Sequence, residues 1–340
     1  MLTIAGGGAT GPIGTVDIES AGSYTNVDAI AGTAATVSGG SGTSATFNLT
    51  WGIRTVSATA AGSYGVPPAD PAQGTSSGSG TGAKLNVSWG VDAVTVLKSG
   101  KDFEAVPKTE FQNAAKQTAG ATAVMKAVSA SPVDAGTGFA PNMTVTLDGG
   151  TLSTGATAAE LTVKTVEVVT AAVHTGNEGT GYTVGDLLSV IGGTGQAATI
   201  GVDSISGAGP TGPIATASLK SAGSYTSNTG LTAGAVDVSG GTGTLAKFDL
   251  AWGVDTVEVT SGKAGSYTDL PATNPVPQDG ASTPAGGTGA TFSVNWGVAA
   301  VTVDRAGAGY TMVPVVSFPT GAGSGAAATA TLTAVSAKVE

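Results

Sequence analysis

Aromatic residues recur in this chain at a nearly constant interval. All six tyrosines follow a short loop of small residues, as in Gly22-Ser23-Tyr24 and Gly181-Tyr182. Phe103 and Phe139 fill the gap between Tyr64 and Tyr182, so that eight aromatic residues follow one another about every 40 residues. A period of this size predicts a repeat architecture, in which each unit buries its apolar surface against neighbouring units.

A regular alternation of apolar and other residues leads up to each of the four tryptophans. Phe248, Leu250 and Trp252 alternate with polar or small residues, which is typical of a β-strand with one buried face. The same spacing precedes the other three tryptophans, and a glycine follows every one of them. We expect each tryptophan to cover a small apolar layer and each glycine to mark a bend or bulge, so that a new strand starts near Val257.

The tyrosines and tryptophans are therefore the predicted structural anchors of the repeat. Their alternation with polar neighbours favours packing in the interior. The alternative is a row of exposed rings that stack on sugar or on a protein partner. The anchors are Tyr24, Tyr64, Tyr182, Tyr225, Tyr267, Tyr310, Trp51, Trp89, Trp252 and Trp296.

A longer duplication lies above the short repeat. Gly11-Pro12-Ile13 returns as Gly212-Pro213-Ile214, and Tyr24 and Trp51 return as Tyr225 and Trp252 at the same offset of 201 residues. The pattern predicts a repeat domain with two Tyr/Trp repeats at 1–100, a diverged β-rich middle region at 101–200, a duplicate of the first domain at 201–305 and a C-terminal repeat at 306–340. Only Lys108 to Gln117 has a pattern that suggests a helix.

The predicted fold class is all-β. Each repeat is expected to form about three short antiparallel strands, because valine and threonine favour strands and glycine favours tight turns. Serial small β-sandwich or barrel domains are the favoured arrangement, since glycine-rich hairpins recur in each repeat. A continuous β-solenoid is the alternative. Two proline-rich stretches, 67–71 and 271–277, are predicted to be rigid loops that offer contact surface.

Composition argues against several classes of partner. The formal net charge is −10 with only 13 lysines and arginines and no basic run, so nucleic-acid binding is not expected. A membrane-spanning helix needs about 20 predominantly apolar residues in succession, and the sequence has no such stretch, so no membrane span is expected. The sequence Met1 to Gly8 lacks the pattern of a signal peptide, which predicts synthesis and assembly in a cytoplasm.

The sequence offers little for catalysis or for metal binding. His174 is the single histidine, there is no cysteine, and the carboxylates are scattered, so no catalytic, cofactor or metal site is predicted. The glycine-rich turns lack the aspartates of calcium-binding β-rolls, and they lack the Gly-Lys-Ser/Thr of a phosphate loop. An isolated calcium ion near Asp134, Asp148 or Asp186 stays open. We expect the chain not to be an enzyme.

Two stretches resemble a repeat known from virion proteins. Gly179-Thr180-Gly181-Tyr182 continues into Gly192-Gly193-Thr194-Gly195-Gln196-Ala197, and Gly307-Ala308-Gly309-Tyr310 continues into Gly323-Ser324-Gly325-Ala326. This pattern resembles the Gly-x-Gly-Tyr and Gly-Gly-x-Gly-x-Ala repeat of tailed-bacteriophage structural proteins, including fibre and decoration proteins. It also occurs in secreted bacterial repeat proteins, and the missing signal peptide favours the phage.

The resemblance implies a non-enzymatic virion structural protein. It would be a decoration or fibre-like component on the capsid, collar or tail, with other virion proteins as partners. Faces rich in alanine, threonine and glycine favour a homo-oligomer, with a trimer as the guessed state. The first alternative is a secreted or cell-surface adhesin or carbohydrate-binding protein, and the second is a depolymerase built on a β-helix.

Overall fold

The protein is built from β-strands. The computed structural model describes residues 2–4, 13–16, 18, 23, 25, 34–36, 46–73, 81–112, 119–232 and 234–340. Within these ranges the regular elements are β-strands, their sheets are antiparallel, and no helix occurs. The predicted all-β, antiparallel fold is therefore confirmed.

Six strands are long and the others are short. The long strands are β6 (Lys84–Lys101), β8 (Gly120–Thr137), β11 (Glu160–Thr180), β18 (Thr244–Val259), β21 (Thr288–Arg305) and β23 (Ser324–Val339). The short strands are β1 (Leu2–Ile4), β2 (Ile13–Val16), β3 (Ala35–Thr36), β4 (Thr46–Phe47), β5 (Ala72–Gln73), β7 (Glu110–Gln112), β9 (Thr144–Thr146), β10 (Thr151–Leu152), β12 (Leu187–Val190), β13 (Thr194–Gln196), β14 (Thr199–Ile205), β15 (Ile214–Ser221), β16 (Ser224–Ser227), β17 (Val236–Ser239), β19 (Tyr267–Asp269), β20 (Val276–Pro277) and β22 (Val315–Ser317).

The chain divides into two compact units. Unit 1 comprises Met1–Gly62, Pro67–Trp89 and Ala334–Glu340, and unit 2 comprises Ser63–Val66 and Gly90–Thr333. In the described part of unit 1, β1 pairs with β2, β3 with β4 and β5 with the start of β6. These units do not follow the predicted bounds at 100, 200 and 305, because the strands of the predicted middle region pair with those of the predicted duplicate.

Strand pairing in unit 2 is nested around one turn. β6 lies beside β23, and within that pair β8 lies beside β21, with Thr122 opposite Thr302. Inside it β11 lies beside β18, and innermost β14 lies beside β15, its immediate successor in the chain. The partners thus approach each other in sequence toward the turn between β14 and β15. Unit 2 therefore folds back on itself as one large antiparallel hairpin, and its strands do not form serial small domains.

Long, bent strands replace the short strands expected from the sequence. β18 runs through Gly253 without a break, so the predicted new strand near Val257 is the second half of the same strand. Its register with β11 shifts between Val163 and Thr165 and again between Val168 and Thr170. Bulges at these points bend a strand without ending it, which the sequence pattern alone could not distinguish from a turn.

Two local predictions are wrong within the described residues. Glu110–Gln112, inside the segment with a helix-like pattern, forms strand β7, and the rest of that segment beyond residue 112 lies outside the described residues. Residues 48–51, which continue the alternating pattern up to Trp51, are not in a strand, and Leu49 is exposed. The corresponding residues before Trp89, Trp252 and Trp296 do lie in strands.

The glycine after Trp252 allows two layers of strands to approach closely. A Cβ atom built on Gly253 would lie 2.5 Å from Val169 Cγ1, 2.7 Å from Ala135 Cβ and 2.9 Å from the Gly136 carbonyl oxygen. Real side chains do not approach this closely, so the backbone of β18 can contact β8 only because position 253 carries no side chain.

We predict that Gly253→Ala destabilises the protein by about 1–3 kcal/mol, the usual cost of overpacking a well-packed core. Gly52 occupies the same place in the first duplicate and has no atom within 4 Å of a built Cβ. Gly52→Ala is therefore the matched control and should leave the free energy of unfolding nearly unchanged. Chemical denaturation checks both variants, and equal losses would contradict this packing role.

Candidate functional site

Most of the predicted aromatic anchors lie in the interior. Four tyrosines are at most 2% exposed, and three tryptophans are at most 5% exposed. Tyr64 and Trp51 are half-buried, and Tyr24 lies outside the described residues. The buried tyrosines are Tyr182, Tyr225, Tyr267 and Tyr310, and the buried tryptophans are Trp89, Trp252 and Trp296. Rings buried to this extent present no stacking surface to a ligand.

Several of the aromatic rings lie against a glycine-rich turn that is distant in sequence. A Cβ atom on Gly243 would lie only 2.4 Å from the ring of Tyr182, and one on Gly287 would lie only 2.3 Å from the ring of Phe139. The same holds for Gly323 and Phe103. Only glycine leaves room for the ring at these positions. We name this contact, an aromatic ring that lies against a glycine of a glycine-rich turn distant in sequence, the aromatic–glycine lock.

The first glycine of each aromatic motif also has a structural role. Gly136 and Gly179 have φ angles of +61° and +68°, a conformation that residues with a Cβ atom rarely adopt. A Cβ atom on Gly179 would lie 2.7 Å from the Ala246 nitrogen and 2.7 Å from the Tyr182 ring. The glycine therefore lets the chain turn back so that its own ring reaches the partner turn.

The tyrosine hydroxyl completes the lock with a hydrogen bond. The backbone N–H of Ala159 donates to Tyr267 Oη at 2.7 Å, and that of Ala198 donates to Tyr225 Oη at 2.6 Å. The longer bond from the Ala246 N–H to Tyr182 Oη measures 3.4 Å. Burial raises the pKa of Tyr225 and of Tyr267, although the N–H donors partly offset this effect. The hydroxyls remain neutral acceptors that satisfy a buried backbone donor.

The lock built on phenylalanine satisfies the same backbone donor differently. Phe139 has no hydroxyl, and Ala290 occupies the place of the alanines bonded to tyrosine. The backbone N–H of Ala290 donates instead to Gln278 Oε1 at 2.9 Å. Because an acceptor is supplied in both versions, the N–H group at this position requires a partner in the folded protein.

The locks are reciprocal between the two halves of the hairpin. Tyr182 lies on the turn at Gly243, and Tyr225, which precedes that turn, lies close to Gly193 of the turn that follows Tyr182. In the same way, Phe139 lies on Gly287 of the turn that follows Tyr267, and Tyr267 lies close to Gly150 of the turn that follows Phe139. Each of these two pairs of motifs is therefore joined twice, once by each ring.

Two tryptophans extend the locks into the core. The rings of Tyr225 and Trp252 meet edge to face with centroids 4.8 Å apart, and those of Tyr267 and Trp296 do so at 4.9 Å. This edge-to-face geometry is favoured by the aromatic quadrupole and contributes about 0.5–1.5 kcal/mol beyond burial. Each of these tyrosines and the tryptophan that next follows it in the chain thus act as one packing unit.

Asp186 joins two turns, a role that the sequence did not reveal. Its carboxylate accepts hydrogen bonds from the backbone N–H groups of Thr183 at 3.0 Å and Thr242 at 2.9 Å, and from both threonine hydroxyls. These donors, the backbone groups above all, lower the pKa of Asp186 to about 2. The carboxylate therefore fixes the Tyr182 loop to the turn on which Tyr182 lies.

The structure brings the carboxylates of Glu167 and Asp255, which are far apart in sequence, close enough to influence each other. Asp255 Oδ2 accepts hydrogen bonds from Thr165 Oγ1 at 2.6 Å and Ser224 Oγ at 2.5 Å. Burial, with a smaller contribution from the charge of Asp255, raises the pKa of Glu167. His174 Nδ1 forms a hydrogen bond with Asp249 Oδ1 at 2.8 Å, and this bond lowers the pKa of Asp249.

The three aspartates considered for calcium do not come together. Asp186 is engaged by threonines as described, and Asp148 Oδ1 accepts the Gly149 N–H at 2.7 Å. The backbone N–H of Asp134 donates to Thr291 Oγ1 at 3.2 Å. Within the described ranges, no group of three or more His, Cys, Asp and Glu residues is arranged to hold a metal ion.

Comparison with known proteins gives no relative for this chain. No protein-family model, curated protein or solved structure matches it. In the part of the chain that the structure describes, no helix is long and apolar enough to span a membrane.

We predict that Tyr267→Phe lowers the free energy of unfolding by about 1–3 kcal/mol, because it leaves the buried Ala159 N–H without an acceptor. Gln278→Ala should have a comparable effect on the Ala290 N–H at the phenylalanine lock. Adding Phe139→Tyr to Gln278→Ala should recover part of the loss by supplying a hydroxyl. Chemical denaturation of the three variants measures these changes. A Tyr267→Phe variant with the free energy of unfolding of wild type would exclude the proposed role of the hydroxyl.

We predict that Asp186→Asn destabilises the protein at neutral pH by about 1 kcal/mol, a value that allows for screening by solvent. The folded-state pKa lies below the unfolded value of about 3.9, so the ionised carboxylate stabilises the fold above that value. The difference between wild type and variant should therefore disappear as the pH falls toward the folded-state pKa. Thermal unfolding as a function of pH measures it.

Glu167→Gln is a control that should change the stability at neutral pH in the opposite direction to Asp186→Asn. The raised pKa of Glu167 means that its ionisation opposes folding, so the variant should be more stable than wild type at neutral pH. This gain should shrink as the pH falls and Glu167 becomes protonated in wild type. A pH-independent effect for either variant would contradict the electrostatic explanation.

Proposed function

We propose that this chain is a non-enzymatic structural component of a tailed-bacteriophage virion. Its place is that of a decoration or fibre-like protein on the capsid, collar or tail. The observation that carries the proposal is the aromatic–glycine lock. The motif that resembles virion proteins has two parts, a glycine-containing loop that ends in an aromatic residue and a glycine-rich turn, and these parts form the two sides of this contact, as where Tyr182 lies on the turn at Gly243.

The locks give the motif a cohesive role. Each one buries a large ring, which contributes about 1.5–3 kcal/mol, and most of them also satisfy a buried N–H group. Because the contacting motifs lie far apart in the chain, as with Phe103 and Gly323, the locks hold distant segments together. A repeated contact that holds distant segments together is suited to a protein with a structural role.

An exposed leucine supports assembly with other molecules. Leu245 has a φ angle of +68° and is 79% exposed, whereas glycines with φ of +78° and +74° stand at the corresponding positions 289 and 325. Leucine is strained in this conformation and exposes an apolar side chain, two costs that a partner surface could offset. We infer that Leu245 contacts another virion protein or a second copy in a homo-oligomer, with a trimer as the simplest fibre-like state.

Repetition on a particle would strengthen such contacts. A virion presents many copies of its components in a symmetric array, so contacts that are weak singly become strong through multivalency. The alternative of an adhesin that stacks exposed rings on glycans is less well supported, because Tyr182, Tyr225, Tyr267 and Tyr310 are buried.

The test is to purify phage particles from the strain that encodes this chain and to analyse them by mass spectrometry and electron cryo-microscopy. We expect the chain to be an ordered component at a fixed copy number. Leu245→Gly should fold at least as stably as wild type and should be depleted from particles, whereas Val133→Thr, another exposed apolar position, should be incorporated normally. Absence of the wild-type chain from purified particles would refute the proposal.

A further inference from the structure

A polar cleft of about 320 Å³ opens on the surface of unit 2. Its floor is formed by four residues of β8 and β21, which are cross-strand partners: Ser131 with Ser293, and Ser129 with Asn295. Alternate residues of a strand face the same side of the sheet, so these side chains share one face. The volume is at the lower end of the range of about 300–1,000 Å³ that is usual for small-molecule sites.

Asp102 borders this cleft at a position where three other aromatic motifs carry glycine. In three of the other aromatic motifs, those of Phe139, Tyr182 and Tyr310, the residue before the ring is a glycine (138, 181 or 309) with φ between +78° and +83°. Asp102 stands at this position before Phe103 and has a φ angle of +61°. A non-glycine residue in this conformation costs about 1–2 kcal/mol, so the fold places the Asp102 carboxylate here at a conformational cost.

Asn295, which also departs from the repeat pattern, is hydrogen-bonded to Asp102. Phe103 and Phe139 occupy equivalent positions, because the Phe103 N–H donates to the Trp296 carbonyl and the Phe139 N–H donates to the Trp252 carbonyl. Asn295 precedes Trp296, whereas Ala251 precedes Trp252. Asn295 Nδ2 donates to Asp102 Oδ1 at 2.9 Å, and the Asp102 N–H donates to Asn295 Oδ1 at 2.6 Å.

The remaining polar wall is also held in place. Asn274, in the proline-rich loop, accepts the Val294 N–H with Oδ1 and donates Nδ2 to the Val294 carbonyl, both at 2.9 Å. The Glu104 N–H is bonded to the Gly321 carbonyl at 2.9 Å, which fixes the backbone that carries the Glu104 carboxylate. The polar groups of the cleft are therefore attached to ordered backbone, which preorganises them for a ligand.

We propose that this cleft binds a saccharide. Hydroxyl groups of Ser129, Ser131 and Ser293 can both donate and accept, and the carboxylates of Asp102 and Glu104 accept, which matches the hydroxyl groups of a neutral sugar. A cation fits less well, because Lys101 Nζ already lies 3.5 Å from Asp102 Oδ2. The proposal rests on the cleft alone and is independent of the role in a virion.

The test uses the full chain, clustered on streptavidin and applied to an array of defined mono- to tetrasaccharides. The saccharide with the strongest signal is then titrated into ¹⁵N-labelled protein. We expect saturable chemical-shift changes at residues 102–104, 129–131 and 293–295. The double variant Asp102→Gly/Asn295→Ala restores the residues of the neighbouring lock, so it should unfold at the same or a higher temperature and bind about tenfold or more weakly.

Two further variants keep the test decisive. Ser131→Ala/Ser293→Ala removes floor hydroxyls without touching the strained loop, and it should also weaken binding. Asp279→Asn, an exposed acid outside the cleft, should bind as wild type does. The proposal is overturned if no saccharide binds above background, if the cleft variants bind normally, or if calcium chloride or spermidine shifts these residues while no saccharide does.

Discussion

The fold depends on the contact between an aromatic ring and a glycine that leaves room for it. At Gly243, Gly287 and Gly323 any side chain would occupy the space of the ring. The contact combines burial of a large apolar surface with a hydrogen bond between backbone N–H and tyrosine hydroxyl, as at Ala159 and Tyr267. Glycine is usually a source of conformational freedom, but here it is a packing requirement.

Reciprocal locks join distant segments of the compact unit 2. Strands that are distant in sequence pair with each other, as β8 does with β21 and β11 with β18, and such non-local pairing has a large cost in chain entropy. The locks offset part of that cost, because the Tyr182 and Tyr225 motifs each provide a ring for the other's turn. Asp186 adds an electrostatic connection at the same place. Cohesion is therefore distributed along the hairpin.

The sequence predicted the class of structure and the burial of most aromatic residues, because period-2 alternation and glycine-rich turns are local signals. It did not predict that β18 continues through Gly253, since a glycine required by close packing looks the same in sequence as a glycine that ends a strand. Nor did it predict nested pairing, because the glycine-rich hairpins that recur in each repeat favoured serial small domains. The tandem repeat itself stays a prediction from the sequence.

Polar features escaped sequence analysis for a related reason. The role of Asp186 depends on Thr242, which is remote in sequence and donates a hydrogen bond to its carboxylate. Glu167 and Asp255 are likewise distant in the chain and lie on different strands. The cleft left one signal that could have been used, since Asp102 and Asn295 replace residues that the repeat pattern predicts to be small. Departures from a repeat are therefore as informative as the repeat.

The most direct test of nested cohesion is native-state hydrogen exchange of the whole chain in increasing denaturant. If reciprocal locks join the two halves of the hairpin, the amides of 120–180 and those of 244–305 should be exposed in one opening reaction with one free energy. If the two segments opened separately, with different free energies, the halves would be serial domains and the nested hairpin would not be the cooperative unit of the fold.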